Sequence, residues 1–309
     1  DIDGAPGAVR IVAVTLTRVT ASGNGIVGST PGDHDGIDIA NVRSDAGATR
    51  FPLGNVSILA TAARNNQGSG FDVERATGGS YLVADSAVTG NGSDGLQMTL
   101  DGVTAPSIGA PGFAVQARDL VASANGAAAG VSGFGIRLWD ARACTLQPPM
   151  DVDLRRITLN DNETGGGDVR VSRAVTGDVL VARGNGFGEG GDAEGDGLSF
   201  GAAPVPTEAG QGPCAPTSVT LTSVFTEQNA GDGLEVNAAG AVTLTAITAS
   251  GNGNELASIV QQDGIDLTHV RAPGGPIVLR DCRVNDNRDD GLDLGPLGAV
   301  SVEFCELRG

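Results

Sequence analysis

Paired carboxylates are the first residues in this chain that could do acid–base chemistry. Asp289 and Asp290 stand side by side behind Asn287 and Arg288. Two carboxyl groups, one protonated and one ionised, are what glycosidic-bond hydrolysis requires, and Arg288 could hold developing negative charge beside them. The competing reading is local. Asp-Gly recurs as a turn signal at Asp35, Asp94, Asp196, Asp232 and Asp263, and Asp290 is also followed by glycine, so the pair reads more simply as a turn. The two histidines, His34 in Asp-His-Asp and His269 in Thr-His-Val, add no second acid–base constellation.

The acidic residues suggest a second chemistry, cation binding. Glu235, Asp266 and Asp293, and likewise Asp38 and Asp72, each stand between two apolar residues. If these segments are stacked strands, neighbouring carboxylates lie about 4.8 Å apart, and like charges at that distance repel unless a cation or water intervenes. Asp286, Asp289 and Asp290 add oxygen donors nearby. The candidate Ca²⁺ ligands are therefore Glu235, Asp266, Asp286, Asp289, Asp290 and Asp293, for an ion that takes six to eight oxygens. No stretch has EF-hand spacing, and a solvated acidic face is the alternative. The four cysteines have no Cys-x-x-Cys spacing, which argues against a thiolate metal site.

The elements that must carry these residues repeat. Nine blocks of apolar-x-apolar align on Gly36, Gly70, Gly95, Gly135, Asp168, Gly197, Gly233, Gly264 and Gly291. The outer two are 255 residues apart over eight intervals, a mean period of about 32, and a fixed period with insertions signals a solenoid. In this alignment Arg137 and Arg170 take equivalent outward positions in neighbouring repeats. An asparagine follows an inward apolar residue by eight positions in Leu16/Asn24, Ile58/Asn66, Val83/Asn91, Ala117/Asn125, Leu154/Asn162, Leu221/Asn229, Leu244/Asn252 and Leu279/Asn287. The repeat around Val181 and Asn185 reads as contracted. Asparagine tolerates the left-handed conformation, and its amide can bond the next copy in a stack.

With period-2 alternation in each strand and parallel stacking of copies, the chain resembles the right-handed parallel β-helix family, the pectate-lyase-like superfold. The expectation is an all-β solenoid of about ten coils, with residues 1–309 forming one domain. Cys282 and Cys305 then share one inward slot, three residues after Leu279 and Val302, as stacked free thiols or as a disulfide. Cys144 and Cys214 lie in the insertions, Asp140 to Asp151 and Gly201 to Thr217, where they could pair with each other.

The resemblance raises polysaccharide cleavage, but the motifs depart from it. Polygalacturonase-like members carry Gly-His-Gly and Arg-x-Lys. This chain has no Gly-His-Gly, and all 19 of its basic residues are arginine, so Arg-x-Lys is impossible. Pectate-lyase-like members use Ca²⁺ and an arginine base. Aromatic residues, which stack on sugars, are only 3%. The leading expectation is thus a non-enzymatic structural or adhesive β-helix at the cell surface or outside the cell. The alternative is a lyase or glycoside hydrolase acting on an extracellular polysaccharide.

A net charge of −18 disfavours nucleic acid and anionic membranes as partners, and no apolar stretch is long enough to span a bilayer. The last segment, from Val300, resembles the first strand of a further repeat, and Asp1-Ile2-Asp3 resembles the end of another. The expected partners are therefore further coils of the same polypeptide, or self-association through open coil ends, which would expose Ile2, Val9, Phe304 and Cys305.

Overall fold

A computed structural model of the chain describes residues 13–25, 34–40, 55–74, 80–100, 113–126, 133–140, 150–171, 173–187, 195–201, 215–253, 262–269, 274–295 and 298–308. These wind into a right-handed parallel β-helix. The first sheet is built around ten strands, one per coil, each paired in parallel with its copy one coil away, from Ala13–Thr17 through Ser80–Thr89, Met150–Asn160 and Ala241–Ser250 to Val300–Glu303. The second sheet has nine strands, from Ile37–Ala40 through Phe134–Asp140, Gly165–Arg170 and Leu234–Ala238 to Leu292–Leu294.

Alternation decides which side chains fill the shaft. In Ala241–Ser250 the residues facing in are Val242, Leu244, Ile247 and Ala249, all buried. The step of three between Leu244 and Ile247 comes from Ala246, whose φ is +56°. Every coil of this sheet has such a residue: Arg18, Ala60, Asp85, Asp119, Arg156, Val179, Ser223, Ala246, Asp281 and Phe304. This bend restores inward alternation after a corner that strict period 2 cannot turn.

The asparagines form a continuous ladder. Asn229 Nδ2 donates to Asn252 Oδ1 at 2.9 Å and to the Ala182 carbonyl at 3.2 Å, while Asn229 Oδ1 accepts from Asn185 Nδ2 at 2.9 Å. The same exchange runs from Asn66 through Asn91, Asn125, Asn162 and Asn185, and on to Asn287. Asn229 and Asn252 are buried and Asn287 half-buried. The left-handed residue is not the asparagine itself but the one before it, such as Asp161, Gly184, Gln228 or Gly251. This residue makes the turn, and the asparagine is then free to aim its amide along the helix axis.

Two features of one coil depart from the sequence alignment. The repeat before Asn185 is not contracted. Gly177 pairs with Leu154 and Leu221 and occupies the inward slot eight residues before Asn185. A Cβ there would come within 2.8 Å of Leu180 and Leu221, so neighbouring leucines fill the space. The second sheet is likewise displaced by two residues at this coil. Gly167 pairs with Ile136 and Leu198, which puts Asp168 level with Arg137 and Arg170 level with Trp139. Arg137 and Arg170 are therefore not equivalent positions.

In the last coil Phe304 is 85% exposed, with Val302 and Leu307 also exposed. Ile2, Val9, Cys144 and Cys214 lie outside the described residues. No helix among the described residues is long and apolar enough to cross a membrane.

Candidate functional site

With that register, the outward residues of the second sheet form one row: Asp38, Asp72, Gln97, Arg137, Asp168, Ser199, Glu235, Asp266 and Asp293. Parallel pairing spaces them about 4.8 Å apart. The row is not uniform. Two carboxylates lead it, an amide, a guanidinium and a carboxylate follow, and a hydroxyl and three further carboxylates complete it.

Its centre is a cluster drawn from three coils. Arg170 Nε donates to Asp168 Oδ1 at 2.8 Å. Arg137 Nε lies 4.0 Å from Asp168 Oδ2, and Arg137 Nη1 lies 3.8 Å from Asp94 Oδ2. The Arg137 guanidinium also stands over the Phe134 ring, 5.6 Å from its centre, a cation–π distance. Asp94 comes from the turn before its strand, where Oδ1 accepts the Phe134 backbone N–H at 2.8 Å. Asp94 and Asp168 are 0% and 1% exposed, yet both arginine side chains keep about a fifth of their surface open. Burying two carboxylates is tolerable here because each faces a cation. The open arginine surface is what a ligand would meet.

On one side of this cluster Ser199 Oγ donates to Glu235 Oε2 at 2.6 Å, and Asn237 Nδ2 donates to Glu235 Oε1 at 2.5 Å. On the other, Gln97 Nε2 lies 3.5 Å from Asp72 Oδ2. The result is a strip of fixed donors and acceptors along the helix axis.

The candidate metal ligands divide into two groups. Glu235, Asp266 and Asp293 are in register on consecutive strands. Asp286, Asp289 and Asp290 are exposed in the turn before the last of those strands. No three His, Cys, Asp or Glu side chains converge to hold a metal ion among the described residues. Arg288, Asp289 and Asp290, the alternative catalytic set, have turn roles. Arg288 Nη1 donates to Gln262 Oε1 at 3.0 Å, and the Asp290 N–H donates to Asp263 Oδ1 at 2.9 Å.

That last contact is one step of a second ladder. The Asp232 N–H donates to Asp196 Oδ1 at 2.9 Å, and the Asp263 N–H donates to Asp232 Oδ1 at 2.5 Å. Burial pushes the Asp232 carboxyl up to about 8, and the charges of Asp263, Asp266 and Glu235 push the same way. Burial likewise raises Asp263, with Asp293, Asp289 and Asp290 adding to it. Asp232, in the turn ladder beside this end of the row, therefore keeps its proton at pH values where an isolated carboxyl would release it.

The central cluster is not apparent from the sequence because Gly167 stands where the other coils have an apolar residue. The glycine column would have placed it. A Cβ on Gly197 or Gly233 would strike the amide of the next asparagine, at 2.6 Å from Asn229 Nδ2 or Asn252 Nδ2. Gly166 faces Asn185 in the same way, so Gly166, not Asp168, is the member of that column.

No family profile matches the sequence, and no curated protein matches it. Among solved structures the chain is similar to the periplasmic alginate epimerase AlgG, at 11% identity and a TM-score of 0.41, over 96% of this chain and 72% of that one. A likeness at this level carries no functional argument.

Proposed function

We propose that this chain is an exported, adhesive β-helix that binds polysaccharide along the outward row of its second sheet. The observation that supports this reading is the Arg137–Asp168–Arg170 cluster. It gathers charged groups from adjacent coils into one outward strip, where a purely structural shaft would need none. Carboxylates, guanidiniums and amides held in fixed positions suit a hydroxyl-rich ligand, because each offers directional bonds to sugar hydroxyls. The acidic residues at both ends of the row favour a neutral polymer over a polyanion.

A second reading is cleavage of the bound polymer by a lyase or hydrolase. It is favoured by one observation: Asp94 and Asp168 both face Arg137, which brings two carboxylates, the residue type glycosidic-bond cleavage uses, beside one guanidinium.

The test is binding of neutral glucans and mannans, with a polyuronate for comparison, measured by affinity electrophoresis. Arg170→Gln and Glu235→Gln should each weaken binding by about tenfold, the loss of one charge-assisted bond. Asp153→Asn, on the outer face of the first sheet, should leave it unchanged. Binding to none of these polymers, or equal binding by all variants, would defeat the proposal. Release of reducing ends or unsaturated products would decide for cleavage.

A further inference from the structure

We propose that Cys282 and Cys305 are a redox-responsive pair that closes into a disulfide and staples the ninth coil of the first sheet to the tenth. Both are free thiols in this structure. The residues around them fix their alignment. Arg280 is in register with Glu303 and Arg283 with Glu306, and the Glu306 N–H donates to the Cys282 carbonyl at 2.8 Å. The cysteines between those pairs therefore sit level at the bends of adjacent coils, about 4.8 Å apart by the parallel spacing, within the Cα separation that a disulfide spans. The side chains also point the same way. Each Sγ donates to the carbonyl two residues earlier, Arg280 and Glu303, at 3.6 Å. Equivalent slots in other coils hold Leu120, Ile157, Val224 and Ile247, all buried. Only these two neighbouring coils carry cysteine there, and they carry it together.

The two thiols differ in access, and this sets the order of events. Cys282 is 3% exposed and Cys305 half-buried. The Cys305 thiolate attacks a small disulfide donor such as glutathione disulfide, forming a mixed disulfide and expelling one glutathione thiolate. Cys282 then loses its proton to solvent, attacks Cys305 Sγ and expels the second glutathione. Two protein thiols are oxidised, and one donor disulfide is reduced to two thiols. Burial raises the Cys282 thiol well above its ordinary value, and the neighbouring Cys305 adds to this. The closing step is therefore the slow one and accelerates with pH. Closure would tie the coil of Phe304 covalently to the one before it.

The experiment incubates the full chain with glutathione disulfide, unfolds it in the presence of an alkylating agent that blocks the remaining thiols, and maps the peptides. The expected product is a Cys282–Cys305 cross-link, lighter than the two free peptides by two hydrogens. Its rate should rise with pH, and the oxidised protein should melt higher than the reduced protein. Cys282→Ser should accumulate glutathione on Cys305, whereas Cys305→Ser should leave Cys282 unmodified while folded. A Cys282→Val/Cys305→Val variant refills the slot as in other coils and should melt identically under both redox conditions. Alkylation of both cysteines after oxidation and unfolding, or a cross-link of either to Cys144 or Cys214, would overturn the proposal.

Discussion

Replacing Asn229 with alanine tests how much of this fold rests on its internal ladder. The side chain is fully buried and serves three neighbours. Its Oδ1 accepts both the Asn185 backbone N–H at 3.2 Å and the Asn185 amide at 2.9 Å, and its Nδ2 serves the Ala182 carbonyl and Asn252 Oδ1. After truncation, Asn252 Oδ1 keeps the Asn229 backbone N–H, 3.2 Å away. The two Asn185 donors and the Ala182 carbonyl lose a partner. Each unsatisfied buried group costs about 1–3 kcal/mol, and relaxation or an entering water recovers part of it, so the expected loss is about 3–5 kcal/mol. Asn24→Ala is the control. Asn24 is exposed, and among the described residues its Nδ2 donates to the Asp35 and Gly36 carbonyls, at 3.1 and 3.4 Å, for about 1 kcal/mol or less. Asn229→Asp separates shape from bonding. It keeps the acceptor but aims negative charge at two acceptors, so it should be worse than alanine at neutral pH and recover on acidification. Urea unfolding followed by far-UV circular dichroism measures all three, and hydrogen exchange at the Asn185 amide reports the local opening. If Asn229→Ala falls within about 0.5 kcal/mol of Asn24→Ala, the ladder reflects turn propensity and not structural support.

Val179 is the one β-branched residue among the first-sheet bends, with φ +55° and 39% exposure. Val179→Asn should therefore raise stability by about 1 kcal/mol in thermal melts, because the left-handed region costs a β-branched residue most and little packing is lost. Asp232 makes stability depend on pH. Its folded value, about 8, lies above the ordinary 3.8. Its contribution is therefore complete below about pH 4 and lost as pH rises through 8. At roughly 1.4 kcal/mol per unit the loss is a few kcal/mol, and Asp232→Asn, which keeps the Oδ1 acceptor, should flatten the decline in melts from pH 5 to 9. The carboxylate row gives the calcium proposal its test. Ca²⁺ should raise the melting midpoint and EDTA should reverse it by linkage, with the effect reduced in Asp266→Asn; a midpoint unchanged by either addition leaves a solvated acidic face.

Which residues reveal a solenoid's register is decided by what each slot can tolerate. The inward apolar positions define the coils well where Leu, Ile or Val fills them, and the alternation from Leu234 to Val236 or Ile265 to Leu267 gives both the strand and its buried face. The same slots accept glycine when larger neighbours close the gap. Leu180 and Leu221 do so around Gly177, and Leu198 and Leu159 around Gly167, where a Cβ would stand 3.1 and 3.4 Å from them. At Gly167 an apolar alignment slides two residues to Val169 and Val171, which turns Asp168 into a turn residue and makes Arg170 a false counterpart of Arg137. The asparagine and glycine columns allow no such substitution. An asparagine must meet the asparagine of the next coil, and the glycine beside it must leave room for that amide. Asn162, Asn185 and Asn229 keep their spacing through the irregular coil, and Gly166 follows from Asn185. Counting two residues on from Gly166 places Asp168 between Arg137 and Ser199. The polar ladder thus carries the positional information, while the apolar core carries most of the burial. The burial of Asp94 and Asp168 is a different matter, because it depends on how the coils come together in three dimensions, and no spacing along the chain encodes it.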